Sequence, residues 1–286
     1  MRFARNVATL DPVGAGDHVC WLVGPDEDFT RTARAFAADG ALFGDKVLVV
    51  GAPESRWVAD GVAQGLLLDP VVESARGVRW DGQAVLGAVR READTASREG
   101  FRALRVLAQM DLLWPSGASP EQVARHELGL DALVADSGAI VVCAYHREGF
   151  TSAALAQVAG VHPHHTGREA GGPGVDERAS IPGFRMFNAG PNYWSVSGVV
   201  DAEGAATFRT AMGELVSGPG ARQTAPLRLH CEHLELMDAA GMRALVGAAR
   251  SLPDRRVLLE QANGTVRRCW ELLGYHRSQS AVELVR

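Results

Sequence analysis

The sequence predicts an α/β protein in two parts, a mostly parallel sheet flanked by helices and then a smaller α/β domain. Three observations carry that expectation. Strand-like apolar runs alternate with helical patterns from residue 19 to residue 159. Two of these runs, Val47-Leu-Val-Val50 and Ile140-Val-Val-Cys143, are continuously apolar, as strands covered on both faces are. A stretch rich in glycine, proline and charge, 166–182, lacks apolar periodicity and separates this half from a compact second one.

In order, strands are expected at 19–23, 47–50, near 67–73, at 102–110 and at 140–145, because each holds a run of apolar or β-branched residues between helical patterns. Helices are expected at 27–42, 55–64, 83–99, 120–137 and 151–159, where apolar residues recur at helical spacing. After the linker, 193–200 alternates as a strand, followed by a helix at 202–216, a strand at 227–231, a helix at 239–251, a strand at 257–260, a helix at 265–273 and a strand at 281–285. The expected domains are 1–165 and 189–286, joined by a linker at 166–188. About ninety-five residues suffice for the second.

Composition limits the function. The chain has 286 residues, 47% hydrophobic and 22% charged, with a net charge of −5. That excludes disorder and coiled coil, and no basic run is dense enough to bind a phosphate backbone, so direct contact with nucleic acid is not expected. Cys20, Cys143, Cys231 and Cys269 are widely spaced and lie mostly in apolar runs, the pattern of reduced thiols. Residues 1–11 carry two arginines without an apolar stretch, and eighteen apolar residues never run together, so a cytoplasmic protein away from the membrane is expected.

The second domain carries three motifs in order: Trp194-Ser-Val-Ser-Gly-Val-Val-Asp201, then Leu227-Arg-Leu-His-Cys-Glu-His-Leu-Glu-Leu-Met-Asp-Ala-Ala-Gly-Met-Arg-Ala-Leu245, then Val266-Arg-Arg-Cys-Trp-Glu-Leu-Leu-Gly274. Together they resemble a STAS domain, the family of anti-sigma-factor antagonists. The resemblance implies a partner-binding module whose partner is an anti-sigma factor or a related kinase-like protein, switched by phosphate on a serine or threonine where a helix begins. A phosphate there would meet free amides and the helix dipole. In this sequence the family's Asp-Ser-Ser-Gly is Asp238-Ala239-Ala240-Gly241, and Ala240 aligns with the switch residue, so neither position accepts phosphate. Asp238 is a helix cap by its chemistry alone. The functional alternative places Asp238, Ala239, Ala240, Gly241, Met242 and Leu245 on the face that meets the partner, although Met242 at helical spacing also suits a core.

In the first domain, Gly16-Asp-His-Val-Cys-Trp-Leu-Val23 and Gly44-Asp-Lys-Val-Leu-Val-Val50, with Leu104-Arg-Val-Leu-Ala-Gln-Met-Asp111, Glu127, Cys143-Ala-Tyr145 and His162-Pro163, resemble the MEDS sensory domain over residues 14–165. That resemblance implies sensing of a small, hydrocarbon-derived molecule. The order of strands and helices is also similar to RecA-type ATPases, which implies a RecA-like sheet. The phosphate loop is absent, however: Gly24-Pro-Asp-Glu-Asp-Phe29 follows the first strand, and its three carboxylates would repel a triphosphate. Lys46, the sole lysine, opens another strand and is expected to be a solvated edge residue.

Ligands of open parallel sheets sit beyond the carboxyl ends of the strands. Those ends nominate Trp21, Glu27, Asp111, Trp114 and His146, a mixture of carboxylates and aromatics suited to a small, partly apolar molecule. His18 and Cys20, two apart on one strand, share a face and could meet a common ligand; His162, His164 and His165 cluster after a helix, and some of them could join His18 and Cys20 on a metal. A metal- or haem-binding sensor using His18 and Cys20 is one alternative, although no cofactor is assigned; ordinary polar contacts and a buried thiol are the simpler one. Cys143 and His146 would face opposite ways and make no compact metal pair. A third alternative is a ligand-free scaffold, a decayed ATPase fold. No catalytic residues are assigned, because a thiol in an apolar strand has no activating partner legible in the sequence. A homodimer is compatible with the sequence.

Overall fold

A computed structural model describes residues 4–7, 9–11, 13–51, 55–62, 65–68, 71–74, 77–113, 118–166, 183–217, 225–251, 256–277 and 281–285. The expected apolar runs form strands, and the chain continues as β1 (Arg5–Val7), β2 (His18–Val23), α1 (Phe29–Leu42), β3 (Lys46–Val50), α2 (Arg56–Ala59), β4 (Leu66–Leu68), β5 (Val71–Ser74), β6 (Gly77–Trp80), α3 (Gly82–Arg98), β7 (Leu104–Gln109), α4 (Pro120–Ser137), β8 (Ile140–His146), α5 (Ser152–Gly160) and β9 (His164–Thr166). The second domain comprises β10 (Phe184–Gly190), β11 (Tyr193–Val200), α6 (Ala205–Ser217), β12 (Leu227–His230), β13 (Leu234–Met237), α7 (Ala239–Arg250), β14 (Val257–Glu260), α8 (Gly264–Leu272) and β15 (Val282–Leu284).

Seven strands make one sheet in the order β1-β9-β2-β8-β7-β3-β4, all neighbours parallel. Numbered alone in chain order, its five inner strands β2, β3, β7, β8 and β9 lie 5-1-4-3-2, a RecA-like arrangement. Side chains alternate across each strand, so two apolar layers result. Val19, Trp21 and Val23 pack with α1 and α2, whereas Cys20 and Leu22 share the opposite layer with Cys143, Tyr145 and residues of α3, α4 and α5. The second sheet runs β10-β11-β12-β14-β15, with β13 beside the far part of β11, and only β10 is antiparallel to its neighbour.

Several expectations need correction. The single strand at 67–73 is the edge strand β4 followed by the separate β5–β6 hairpin. The helix at 55–64 shrinks to one turn, α2. The strand expected at 227–231 is β12, and a further strand not expected there, β13, follows before Asp238. The linker expected at 166–188 overlaps β10, which pairs along β11 from Phe184 onward; residues 167–182 lie outside the described residues. Lys46 is not a solvated edge residue: it is 7% exposed, and its Nζ lies 2.8 Å from Glu99 and 3.2 Å from Glu92. A buried ammonium is tolerated only when paired in this way.

Helix α4 occupies a central position. Ser119 forms a capping box with Gln122, Pro120 opens the first turn, and Gly138 closes the helix at φ 70°. These ends fix where it starts and stops, and both long sides are covered. One side packs on the first sheet through Leu130, Leu133 and Val134, while Leu128 belongs to the apolar core of the second domain.

Candidate functional site

Glu127 and Asp131, four residues apart on α4, project together onto the strand layer. Both are fully buried, as are His18 at the start of β2, Cys143 in β8 and His162 just after α5. Glu127 Oε2 lies 3.2 Å from His18 Nε2, 3.1 Å from His162 Nε2 and 3.3 Å from Cys143 Sγ. Its other oxygen accepts a hydrogen bond from the Tyr145 hydroxyl. The two imidazole rings sit 4.1 Å apart.

The outer nitrogens are held separately. His162 Nδ1 is 2.7 Å from the Val158 carbonyl, which can only accept, so Nδ1 carries the proton. His18 Nδ1 is 3.3 Å from Asp131 Oδ1, again an acceptor. Both Nε2 atoms therefore turn toward Glu127 and Cys143. His162 Nε2, despite its 3.1 Å approach to Glu127, makes no aligned hydrogen bond.

Burial and charge in this enclosure shift the proton affinities of Glu127, His18, Cys143 and Tyr145. Burial alone would raise the carboxyl of Glu127, yet the nearby His162 and His18 rings outweigh it and hold the carboxyl well below the usual range. Burial opposes the charged form of His18, and Asp131 and Glu127 outweigh it, so its pKa is raised. Burial, then the Glu127 charge, push the Cys143 thiol and Tyr145 hydroxyl well above normal. The thiol alone is therefore no activated nucleophile.

The residues named from the sequence fall into separate groups. His18 and His162 meet, as described. Cys20 lies in the same layer and is in register with Cys143, but Cys143 rather than Cys20 converges with the histidines. Haem ligation through His18 and Cys20 does not fit, because Glu127 and Cys143 already crowd His18 Nε2, the latter at 3.6 Å. A second group forms at the carboxyl ends of the strands. There Trp21 Nε1 donates to Glu27 at 2.7 Å, Trp21 stacks on Phe29, and Phe29 meets His146 edge-on. The His146 ring pairs with Asp111 at 2.5 Å, and that carboxylate raises the imidazole's pKa. Glu27 also accepts the Gly24 N–H, placing a carboxylate where a phosphate loop would offer amides. Trp114 lies outside the described residues.

In the second domain Asp238 caps α7 by accepting from the Ala240 and Gly241 amides at 2.7 and 2.9 Å. Gly241 is close-packed, because a Cβ there would come within 2.8 Å of the Val200 carbonyl. Met242 and Leu245 are fully buried in the core, which corrects their assignment to a partner face. The outer side of α7 instead carries Arg243, Gly247 and Arg250, with Ala239 and Ala240 half-buried at its start.

A family model for MEDS, the methanogen/methylotroph DcmR sensory domain, matches residues 17–163, and a STAS domain model matches residues 193–284. The chain belongs to the MEDS family. It is a MEDS sensory domain fused to a STAS domain, a pairing that makes it a signalling regulator. No curated protein matches it. Among the described residues, no helix is long and apolar enough to cross a membrane.

Sequence reasoning missed the seam between the two domains. The second oxygen of Asp131, Oδ2, accepts a hydrogen bond from the backbone N–H of Asn188 in β10. Arg185 of the same strand donates to the Pro163 carbonyl at 3.3 Å and to the ring of His165. Arg125 on α4 grips Glu214 on α6 through two contacts at 2.5 and 3.1 Å. Beside these contacts lies a cleft of about 710 Å³ between α3, α4 and the STAS strands, lined by Leu86, Arg90, Leu128, Trp194 and Glu214 among others.

Proposed function

We propose that the MEDS domain binds a small molecule and that its occupancy, in place of phosphorylation, sets the ability of the STAS domain to bind an anti-sigma factor or a related kinase-like protein. The observation that carries this reading is the position of Asp131. One carboxylate oxygen faces His18 in the sensory core, and the other holds the Asn188 amide in the first STAS strand. A change in the core that moves His18 must therefore be accommodated by α4 or β10. Packed elements tend to shift between discrete arrangements rather than deform smoothly. A coupling of about 1–3 kcal/mol is enough for a useful population shift. The cleft at the same seam has a volume in the range of small-molecule sites.

The chain acts by binding rather than catalysis in this reading. Ala239 and Ala240 deny a kinase its usual acceptor, and the Asp238 carboxylate already occupies the amides that a phosphate would use. Triphosphate is likewise disfavoured, because Glu27 covers the loop after β2.

Two measurements test the reading. A thermal-shift series with short alcohols, aldehydes and carboxylic acids on the full chain is expected to raise the melting temperature with at least one of them. Incubation with an anti-sigma-type serine kinase and ATP, followed by intact-mass analysis, is expected to add no phosphate at residues 238–241. An unmoved melting temperature across the series, or stoichiometric phosphate at that turn, contradicts the proposal.

A further inference from the structure

We propose that His18, Glu127, Cys143 and His162 form a closed tetrahedral site for a divalent cation of the zinc class. The four donor atoms lie within 4.8 Å of one another, and all four residues are buried. A tetrahedral ion with bonds of about 2.0–2.3 Å spaces its ligands about 3.3–3.8 Å apart. The separations here, 3.1 and 3.2 Å from the imidazoles to Glu127, 3.3 Å from Cys143 to Glu127 and 3.6 Å from Cys143 to His18, have that scale before any ion spreads them.

The outer contacts make the stronger argument. Each histidine spends its Nδ1–H on an oxygen acceptor, His18 on Asp131 and His162 on the Val158 carbonyl. Ligating histidines are oriented in this way, with the second nitrogen's lone pair aimed at the ion. In neutral imidazoles both Nε2 lone pairs would confront the Glu127 carboxylate, and His162 Nε2 has no aligned hydrogen bond to relieve that conflict. A cation among the four relieves it.

Charge also balances. Binding breaks the Cys143 S–H bond, and that proton, with any proton on a ligating Nε2, leaves to solvent as the sulfur–metal and nitrogen–metal bonds form. One divalent cation with one thiolate, one carboxylate and two neutral imidazoles is electrically neutral, as a fully buried cluster requires. Two nitrogens, one sulfur and one oxygen are a zinc-type donor set, and four protein ligands leave no position for substrate. The ion would tie β2, α4, β8 and the end of α5 together. This assignment stands on the donor geometry and does not depend on the signalling reading.

The test uses the full chain, unfolded with denaturant, reductant and chelator, freed of chelator and refolded with cobalt(II) or zinc(II). Expected are one ion per chain by elemental analysis and, with cobalt, tetrahedral visible bands plus a thiolate-to-cobalt charge-transfer band. Cys143→Ser is expected to lose the charge-transfer band while Cys20→Ser keeps it, and Asp131→Asn to weaken binding about 10- to 100-fold. X-ray absorption of the wild-type cobalt form, reporting one sulfur and three lighter ligands, decides the matter should a variant fail to fold. A natively folded chain that takes up no ion, with both Nε2 atoms protonated by nitrogen NMR, overturns the proposal. So does a bound ion whose spectrum is unchanged in folded Cys143→Ser.

Discussion

Replacing Asp131 with alanine isolates the contact on which communication between the domains rests. The carboxylate is fully buried, and the donors it serves include His18 Nδ1–H at 3.3 Å and the Asn188 backbone N–H. Alanine strands both. A buried donor left unsatisfied costs about 1–3 kcal/mol, so the pair sums to about 2–6 kcal/mol. Asp131→Asn keeps the volume and one acceptor oxygen but turns an NH2 toward one of the donors, so about half that loss is expected. Urea unfolding followed separately by tryptophan fluorescence and far-ultraviolet circular dichroism measures it. Because α4 contributes to both cores, the alanine variant should lower the midpoints of both domains. A loss below about 0.5 kcal/mol, the range of ordinary surface changes, would refute the claim that Asp131 joins them.

Other perturbations probe separate parts of the molecule. Burial first, then the nearby Arg185, hold His165 down at a pKa of about 3. The unfolded chain takes up this proton near pH 6.5 and the folded chain does not, so stability falls as pH drops from about 6.5 toward 3. His165→Gln should remove that portion of the slope in pH-dependent urea unfolding. For His146 the sign is opposite: its hydrogen bond to Asp111 raises the folded pKa, so its stabilisation is complete below about 6.5 and is lost as pH rises through the folded value. Imidazole NMR should show a midpoint above that of free histidine, returning toward it in Asp111→Asn. Gly241→Ala should destabilise the STAS domain by about 1–3 kcal/mol in urea, because the new Cβ meets the Val200 backbone oxygen at 2.8 Å. Arg125 is half exposed, so a double-mutant cycle with Glu214 should give a coupling of only about 0.2–1 kcal/mol.

The central strands were legible because burial on both faces demands apolar side chains, and runs such as Val47–Val50 announce it. His18 and Cys20 were correctly placed on one face by the two-residue period. What stayed hidden depended on contacts between distant segments. β9 is His164-His165-Thr166, a polar strand buried against its neighbours, which no apolar pattern marks. β10 follows a glycine- and proline-rich stretch and looks like its continuation. Met242 and Leu245 adjoin the motif at the start of α7, yet the structure puts both in the core, the place that helical spacing also allows for Met242. The sequence does carry one signal of the buried cluster. Helix α4 carries Leu128, Leu130, Leu133 and Val134 around most of its circumference, so it must be covered on more than one side. The carboxylates of Glu127 and Asp131 within it then have to be buried and paired.

Amide hydrogen exchange in the full chain, compared between wild type and His18→Ala, tests most directly whether the state of the sensory core is felt by the output domain. Exchange at Asn188 in β10 should accelerate by at least tenfold, while Val257–Glu260 on the far side of the STAS sheet keeps its protection. Unchanged exchange at Asn188, or acceleration spread uniformly over both sheets, would show that no such path runs through α4.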